Sequence, residues 1–406
     1  MTTIDAPPLA SLRAEAEGLL PDIVALRRRL HRRPEIGLQL PETQAAVAAD
    51  LRALGLEPHP GTSVSSLTAT LEGPRPGPTL ILRADMDALP VHEATGLDFS
   101  SEIDGAMHAC GHDTHMAMLL GATRLLLAHR DQLAGRVLLM FQPGEEGRHG
   151  ARFMLEDGLL EGPAGAAVTA AFAVHISTRY PTRTIHLRPG PMMAAADTFR
   201  VTVRGRGGHA STPHLAVDPI VVAAEIILAL QTMLTRRIDA NEAAVITVGR
   251  VEAGTKDNVI PETAVLDGTI RTVSEAVRST IHGLIGRTAE GIAAAHGAEA
   301  EVEIVPGYPV TVNDRSFTER VAAIAARLLG EDAVLEMSAP NMGAEDFSYV
   351  LQHVPGTFVY LGARPSGEDP ATAPQNHSNR VVFDEAAMVD GVALHAAVAL
   401  DYLSGR

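Results

Sequence analysis

The only cysteine of the chain lies in a segment crowded with metal-binding side chains, MHACGHDTH at residues 107–115. A single cysteine cannot form a disulfide within the chain, so its thiol is buried and inert, reactive, or a metal ligand. Cys110 and His112 are two positions apart, so an extended or turning backbone can point both at one ion. A thiolate and an imidazole together suit zinc and its transition-metal neighbours. A lone cysteine is more often a core side chain, but the ligand density here favours a metal site.

Two pairs of carboxylates follow stretches that we predict as buried strands. Asp85 and Asp87 stand in the motif RADMDALP, and Glu145 and Glu146 stand in QPGEEG. Ligands collect at the carboxyl ends of strands in open α/β sheets. The aspartates can bind a metal or orient a metal-binding imidazole. One glutamate can bind an ion while the other accepts a proton from water. Taken alone, the aspartates could equally belong to a solvated loop. Without metal ligands elsewhere, the glutamates would be interpreted as an acidic surface turn.

Two isolated histidines add weaker signals. His175 follows an apolar run at residues 170–174, and His377 stands in the tripeptide Asn-His-Ser. A lone histidine is more often a hydrogen-bonded structural residue than a ligand, so neither indicates a site on its own.

Short apolar strands alternate with helices over the first part of the chain. We predict a first helix that includes residues 23–30 and ends before Pro34, and further helices at 42–54 and 112–128. Strands are predicted at 66–71, 78–83 and 137–141. This alternation predicts an α/β domain with a mixed, mostly parallel sheet flanked by helices.

The pattern changes near Thr184. Strands are predicted at 198–203, 243–251, 264–271 and 301–305, with helices at 218–234 and 274–296. Strand-helix-strand-strand-helix-strand is the order of a compact, ferredoxin-like α+β unit. After residue 306 the first pattern resumes. At 406 residues the chain is too long for one ordinary core. We therefore predict a discontinuous domain of residues 1–183 and 307–406, into which residues 184–306 are inserted.

The composition argues against several partners. Hydrophobic residues make up 46% of the chain and charged residues 20%, which is typical of a soluble globular protein. The net charge of −16 disfavours nucleic acid and anionic membranes, because both need a basic footprint. The N-terminal residues 1–18 lack a signal-peptide pattern. The longest apolar run, residues 216–230, is interrupted by Asp218 and Glu225, so no run approaches a membrane span. We expect no nucleic-acid or membrane partner and a cytoplasmic location.

Together the motifs resemble the M20 metallopeptidase family, in its branch of aminoacylases, hippurate hydrolases and IAA-amino acid hydrolases. The family's ordered motifs stand here as RADMDALP, MHACGHDTHM, QPGEEG, GRGGHAS, DNVIPETAVLDGTIRT, GAEDFS and NHS. The resemblance extends from Ile23 to the C-terminal helix, and seven motifs in order make a chance match improbable.

The resemblance implies a centre of two divalent ions per subunit. Its ligands would be Cys110, as the bridging thiolate, and His112, Glu146, His175 and His377. Zinc is the first expectation for the ions, and manganese, cobalt and nickel are compatible with the same side chains.

The resemblance also implies roles for five further residues. Glu145 would be the general base, and Asp87 a carboxylate behind a metal-binding histidine. The inserted domain would be the family's lid and dimerisation domain, in which His209 helps to stabilise the oxyanion. Asn258 and Arg271 match lid positions that bind the free carboxylate of the substrate, which an Arg can grip bidentately. We therefore expect a homodimer, with a tetramer as the alternative.

The implied reaction is hydrolysis of the amide bond of N-acyl amino acids, which releases a carboxylic acid and a free amino acid. A metallo-carboxypeptidase or dipeptidase acting on short peptides is the alternative, since both cleave an amide next to a free carboxylate. The chain departs from indole-binding relatives after His175, where residues 176–181 read ISTRYP and contain no Trp. This departure predicts a more polar pocket rim and argues against a plant-hormone conjugate as substrate.

Two hypotheses from other functional classes compete with the hydrolase. The segment GRGGHA at residues 205–210 formally fits the dinucleotide-binding pattern G-x-G-x-x-G/A, but Pro213 and Pro219 stand where the phosphate-binding helix should run. A non-catalytic metal-binding or scaffold protein is the second. The presence of all four proposed catalytic and substrate-binding residues argues against it, because a site without catalysis would need none of them: Glu145, His209, Asn258 and Arg271.

Overall fold

The computed structural model describes residues 9–161 and 167–404. The helices are α1 (Leu9–His31), α2 (Pro41–Ala53), α3 (His112–Ala128), α4 (Gly150–Glu156), α5 (Pro219–Arg237), α6 (Glu275–Ala295), α7 (Arg315–Leu329), α8 (Ser348–Leu351) and α9 (Ala387–Tyr402). The strands are β1 (Pro58–Pro60), β2 (Leu67–Glu72), β3 (Arg75–Asp85), β4 (Ala134–Gln142), β5 (Val168–Pro181), β6 (Ile185–Leu187), β7 (Gly190–Met193), β8 (Ala195–Arg204), β9 (Gly208–His209), β10 (Ala244–Ala253), β11 (Val259–Ile260), β12 (Thr263–Thr272), β13 (Glu299–Tyr308), β14 (Thr311–Asn313), β15 (Val334–Glu336) and β16 (Gly356–Arg364). The prediction that the N-terminus lacks a signal peptide concerned residues 1–18, and residues 1–8 lie outside the described residues.

An eight-stranded mixed sheet forms the centre of the larger of two compact units, in the order β1-β2-β4-β3-β5-β16-β6-β15. The central strands β4, β3, β5 and β16 are parallel neighbours. Strands β1 and β2 are antiparallel to their neighbours, as β6 is to β16. Helices α1, α3 and α9 pack together and share one hydrophobic core with the sheet. The predicted α/β class with a mostly parallel central sheet is confirmed.

Parallel pairing brings the carboxyl ends of β3, β4 and β5 to one edge of this sheet. Asp85, the last residue of β3, is in register with Gln142, the last residue of β4. On the other side, Arg83 is in register with Ala173 in β5. The last seven residues of β3 and the last six of β4 are all buried, as in strands covered on both faces. Polar residues that follow these strands therefore start from neighbouring positions.

The second compact unit comprises Pro191–Thr311 and Ala339–Glu345. Its sheet has the order β10-β12-β8-β13, and each pair in it is antiparallel. With α5 following β8 and α6 following β12, this is the ferredoxin-like arrangement. Apolar residues of α5, α6 and the sheet form a core separate from that of the larger unit. The unit begins and ends a few residues C-terminal to the sequence-based boundaries of 184 and 306.

The dinucleotide-binding alternative does not fit the local structure. The glycine-rich segment after β8 leads into the short strand β9 and then into a 3-10 turn at Pro213–Leu215. Helix α5 begins only at Pro219, after the whole motif. A phosphate-binding loop needs the helix N-terminus inside the motif, where its N–H groups face the phosphates.

The prediction that no run approaches a membrane span is wrong for α5 by length and composition. The helix has 19 residues, and its mean hydropathy reaches 1.5 over a window of 18. Only a third of that window is buried. The buried side chains face the core of the second unit and include Val222, Ile226 and Leu230. A helix that buries one face against a core in this way is an ordinary part of an α+β unit, so its packing can be explained without a bilayer.

Candidate metal centre

Three parallel strands deliver carboxylates and an imidazole to one region of the larger unit. Asp87 follows β3, Glu145 and Glu146 lie in the turn after β4, and His175 lies within β5. Asp87, Glu145 and His175 are buried, and Glu146 is half-buried. These residues are far apart in the chain, and the parallel order of the sheet brings them together.

A left-handed glycine shapes the cysteine segment. Gly111, directly before α3, has a φ of 86°. A Cβ at this position would lie 2.4 Å from Cγ2 of Ile176, so both the backbone angle and the space require glycine. The turn sets Cys110 just before the helix and His112 at its first position, and both side chains are buried.

The five predicted ligands meet in two triads that share the sulfur of Cys110. One triad is Cys110, His112 and His175, and the other is Cys110, Glu146 and His377, with the ligand atoms of each within 4.8 Å of one another. Sγ of Cys110 lies 3.4 Å from Nε2 of His175 and 3.3 Å from Nε2 of His377. Nε2 of His377 lies 3.2 Å from Oε1 of Glu146. The sulfur of Cys110 is therefore common to both triads, and if each triad held an ion, it would be a ligand of both.

Two of the imidazoles are oriented by main-chain oxygens. Nδ1 of His112 donates to the carbonyl of Asp87 at 2.8 Å, and Nδ1 of His175 donates to the carbonyl of Ile176 at 2.7 Å. A carbonyl can only accept, so each Nδ1 carries a proton, and Nε2 is the ring nitrogen that can bind an ion once it is unprotonated. Nε2 of His112 is buried without a hydrogen-bond partner in the described part of the chain. This orphaned nitrogen beside the sulfur fits a divalent metal.

The carboxylate of Asp87 binds the backbone of the two glutamates and also lies close to the imidazole of His112. Its two oxygens accept the main-chain N–H groups of Glu145 at 2.9 Å and of Glu146 at 3.0 Å. The sequence-based prediction assigned this carboxylate to a metal-binding histidine. Nδ1 of His112 lies 3.6 Å from Oδ1 of Asp87, and its hydrogen bond goes to the carbonyl of the same residue. Asp87 therefore holds the turn that carries both glutamates.

Sequence reasoning missed the role of His115. Its Nδ1 lies 2.5 Å from Oδ1 of Asp85, and its Nε2 accepts the main-chain N–H of Ile176 at 2.8 Å. Arg83 donates to the other oxygen of Asp85 at 2.6 Å. A signal existed in the sequence, since His112 and His115 are three residues apart and share one face of a helix. The contact with Ile176 depends on the approach of β5 to α3.

The other side chains of the cysteine segment have different partners. Asp113 binds Nε of Arg27 at 2.7 Å and Nδ1 of His31 at 2.9 Å. His108 is buried near His31, with their ring centroids 6.2 Å apart. The dense motif therefore divides between the two triads and a buried ion-pair network with α1.

Without bound ions, two of the ligand side chains hold their protons tightly. Burial raises the pKa of the Cys110 thiol well above its usual range, and the Glu146 and Glu145 carboxylates raise it further. Burial alone would lower the pKa of the His112 imidazole, but the charge of Asp85 and the contacts with Asp87 raise it to about 10. An ion that binds both side chains must displace these protons.

We expect the affinity for divalent ions to rise with pH, because protonated Cys110 and His112 compete with the ion. The gain is roughly tenfold per pH unit for each proton released, and it continues until the raised pKa values are reached. Zinc titrations at several pH values measure the slope, and calorimetry in buffers with different ionisation enthalpies counts the protons. An affinity independent of pH would contradict binding through these two side chains.

Three further predicted residues belong to the second unit. His209 is exposed in β9, and its Nδ1 accepts the main-chain N–H of Ser211 at 3.1 Å. In the neutral imidazole the proton is then on Nε2, which can donate. Asn258 precedes β11, the partner of β9, and its carbonyl accepts the N–H of Ala210 at 3.2 Å. Arg271 is half-buried in β12.

Comparisons with known proteins agree with this arrangement. Residues 81–401 match the profile of peptidase family M20/M25/M40. The chain is 40% identical over 384 residues to thermostable carboxypeptidase 1 of Saccharolobus solfataricus, covering 94% of this chain and 95% of the relative. It is 40% identical over 342 residues to N-acetyl-L-cysteine deacetylase of Bacillus subtilis, covering 84% of this chain and 80% of the relative.

A solved structure of similar fold is that of a dinuclear metal-binding peptidase. The crystal structure of a dinuclear metal-binding peptidase of the M20 family from Bacillus subtilis superposes with a TM-score of 0.82 at 34% identity. The match covers 95% of this chain and 99% of that structure. The predicted M20 membership is confirmed, and the chain belongs to peptidase family M20/M25/M40 as a hydrolase of amide bonds.

Proposed function

We propose that the protein hydrolyses the amide bond of N-acyl amino acids and releases a carboxylic acid and a free amino acid. The observation that carries this proposal is the pair of triads joined at Cys110, next to the carboxylate of Glu145. The similarity to a deacetylase of an N-acetyl amino acid supports the substrate class.

The triads are proposed to hold two divalent ions per subunit, with zinc first and manganese, cobalt or nickel as alternatives. When bound, such ions polarise the scissile carbonyl and favour ionisation of a nearby water. The chain's own contribution begins with Glu145, whose carboxylate accepts a proton from the attacking water. The same proton then passes to the amide nitrogen as the C–N bond breaks. Asp87 holds the backbone of Glu145 during both transfers.

The second unit is proposed to act as the lid. Nε2 of His209 carries a proton in the neutral ring, because Nδ1 accepts from Ser211, and it suits a developing oxyanion as a donor. Asn258 and Arg271 are proposed to bind the free carboxylate of the substrate, with the Arg side chain as the cationic partner. This anchoring predicts a requirement for a free acid next to the scissile amide.

A metallo-carboxypeptidase or dipeptidase acting on short peptides is the second candidate. The similarity to thermostable carboxypeptidase 1 favours it. Both candidates use the same carboxylate anchor and differ only on the acyl side, where a peptide brings a free amine or further residues.

A matched substrate panel tests the proposal. Metal-reconstituted protein is given N-acetyl and N-benzoyl amino acids, dipeptides and the C-terminal amides of each, with a chelated sample as control. We expect chelator-sensitive cleavage of the N-acyl amino acids and almost none of their amides. Arg271→Leu should narrow the difference in cleavage rate between the free acids and their C-terminal amides. Faster cleavage of peptides would favour the second candidate, and no cleavage by the metal-loaded protein would favour a non-catalytic metal-binding role.

We also propose a homodimer formed through the second unit. Helix α5 exposes Val221 and Leu228, which are seven residues apart and therefore on one face of the helix. Strand β10 is an edge strand of the same sheet and exposes Val245 and Val251. An unpaired edge beside exposed apolar side chains is a surface suited to association with a second copy.

The variant Leu228→Glu should shift the protein from dimer to monomer, because a charge replaces an apolar contact at the proposed interface. Light scattering after size exclusion measures the mass. Leu215→Glu, which changes an exposed Leu outside α5 and β10, should stay dimeric. A monomeric wild type would contradict the proposal, and a tetramer would require a further interface.

A cytoplasmic location is part of the proposal. A reducing compartment keeps the thiol of Cys110 available to the ions.

A further inference from the structure

Asn376 lies at the junction of three chain segments that carry ligands. Its Nδ2 donates to the main-chain oxygens of Cys110 at 3.1 Å and of Ile176 at 3.0 Å. Its Oδ1 accepts the main-chain N–H of Thr178 at 3.3 Å. One half-buried amide therefore connects the cysteine segment, the end of β5 and the loop of His377.

The three bonds define which way the amide points. Nδ2 faces two carbonyl oxygens, which only accept, and lies 3.9 Å from Sγ of Cys110. The contact of Oδ1 is an N–H, which only donates. In the reversed orientation, Oδ1 would face the carbonyl oxygens of Cys110 and Ile176, and no atom could donate. Asparagine is thus matched to this position in shape and in hydrogen-bonding pattern.

Two of these bonds fix the backbone at or next to a ligand. The carbonyl of Ile176 also accepts Nδ1 of His175, so Asn376 braces the same oxygen that orients this imidazole. The carbonyl of Cys110 belongs to the residue with the shared sulfur.

The neighbouring ligand needs such support. His377 has a φ of 73°, a left-handed backbone conformation that is unfavourable for residues other than glycine. Its main-chain N–H donates to the carbonyl of Ala109 at 2.9 Å. With the bonds of Asn376, this contact holds the strained residue against the cysteine segment.

We propose that Asn376 is a positioning residue, whose amide binds the main-chain oxygens of Cys110 and Ile176 and so makes Cys110, His175 and His377 converge on the ions. The inference rests on the metal centre proposed above. Asn376 itself contacts neither ion nor substrate in this role.

The variant Asn376→Asp tests the inference, because it keeps the shape and replaces the donor with an oxygen facing two carbonyls. We expect zinc affinity, measured by competition with a chelating dye, to fall about 10–100-fold, as for residues that orient metal ligands. The visible spectrum of the cobalt-loaded protein should change, because it reports the ligand geometry. The metal-free protein should remain folded, although its unfolding temperature should fall because two hydrogen bonds of a half-buried amide are lost.

Asn379→Asp is the matched control, since it makes the same change at an exposed side chain of the same loop and should keep wild-type affinity and spectrum. Asn376→Ala removes the donor without adding a repulsive oxygen and should weaken zinc binding in the same direction. Wild-type affinity and spectrum in both Asn376 variants would overturn the positioning role. Unfolded metal-free forms of both would also overturn it, in favour of a purely structural role. A wild type that binds no divalent ion would instead refute the metal centre itself.

Discussion

Replacing Glu145 by glutamine is expected to leave ion binding intact and to lower kcat by about 10²–10⁴-fold, the usual contribution of a general base. A glutamine side chain has nearly the shape of glutamate but cannot accept a proton from water at neutral pH. The main-chain bond from residue 145 to Asp87 does not involve the side chain and remains. Steady-state kinetics on an N-acyl amino acid measure kcat, and elemental analysis counts the ions.

Glu156→Gln provides the control for this variant. Glu156 is exposed on α4, with its carboxylate 3.4 Å from Arg152, and the change should keep the wild-type kcat. A wild-type rate in Glu145→Gln would refute the assigned mechanism. Loss of ions together with loss of rate would make Glu145 a ligand, since its carboxylate lies within 4.8 Å of the ligand atoms of His112 and Glu146.

Replacing Cys110 by alanine is expected to lower the occupancy of both ions. The sulfur belongs to both triads, whereas His175 and His377 each belong to one. His175→Ala and His377→Ala should therefore each weaken mainly one ion. Equilibrium dialysis at a fixed concentration of free zinc, followed by elemental analysis, gives the ratio of metal to protein. Activity should fall with the occupancy, because the proposed reaction uses both ions.

The comparison among the three variants is the sharper part of this test. Unchanged stoichiometry in Cys110→Ala would remove the thiolate from the ligand set. Equal losses in all three variants would contradict a sulfur shared by two separate triads. The unfolding temperature of each metal-free variant shows whether the small cavity left at residue 110 disturbs the fold.

The sequence alone was enough to predict the main elements, because their hydrophobic periods are local. Helix α3 has the predicted bounds of residues 112–128, since its start follows a glycine and its apolar spacing is regular. The α/β class followed from short apolar strands alternating with helices. The motifs also indicated the family, because the order and spacing of ligand-type residues can be seen in the sequence without knowledge of the fold.

Tertiary structure decided how those residues act on one another. Asp87 and Glu145 are separated by 58 positions, and only the pairing of β3 with β4 brings the carboxylate to the turn. Asn376 is 266 positions from Cys110, and nothing in the local pattern of its segment indicates that contact. Hydrogen bonds over such separations depend on strand register and helix docking, which local periodicity does not encode. The sequence thus determined the elements and the chemical types of the ligands, and the sheet order decided which atoms meet.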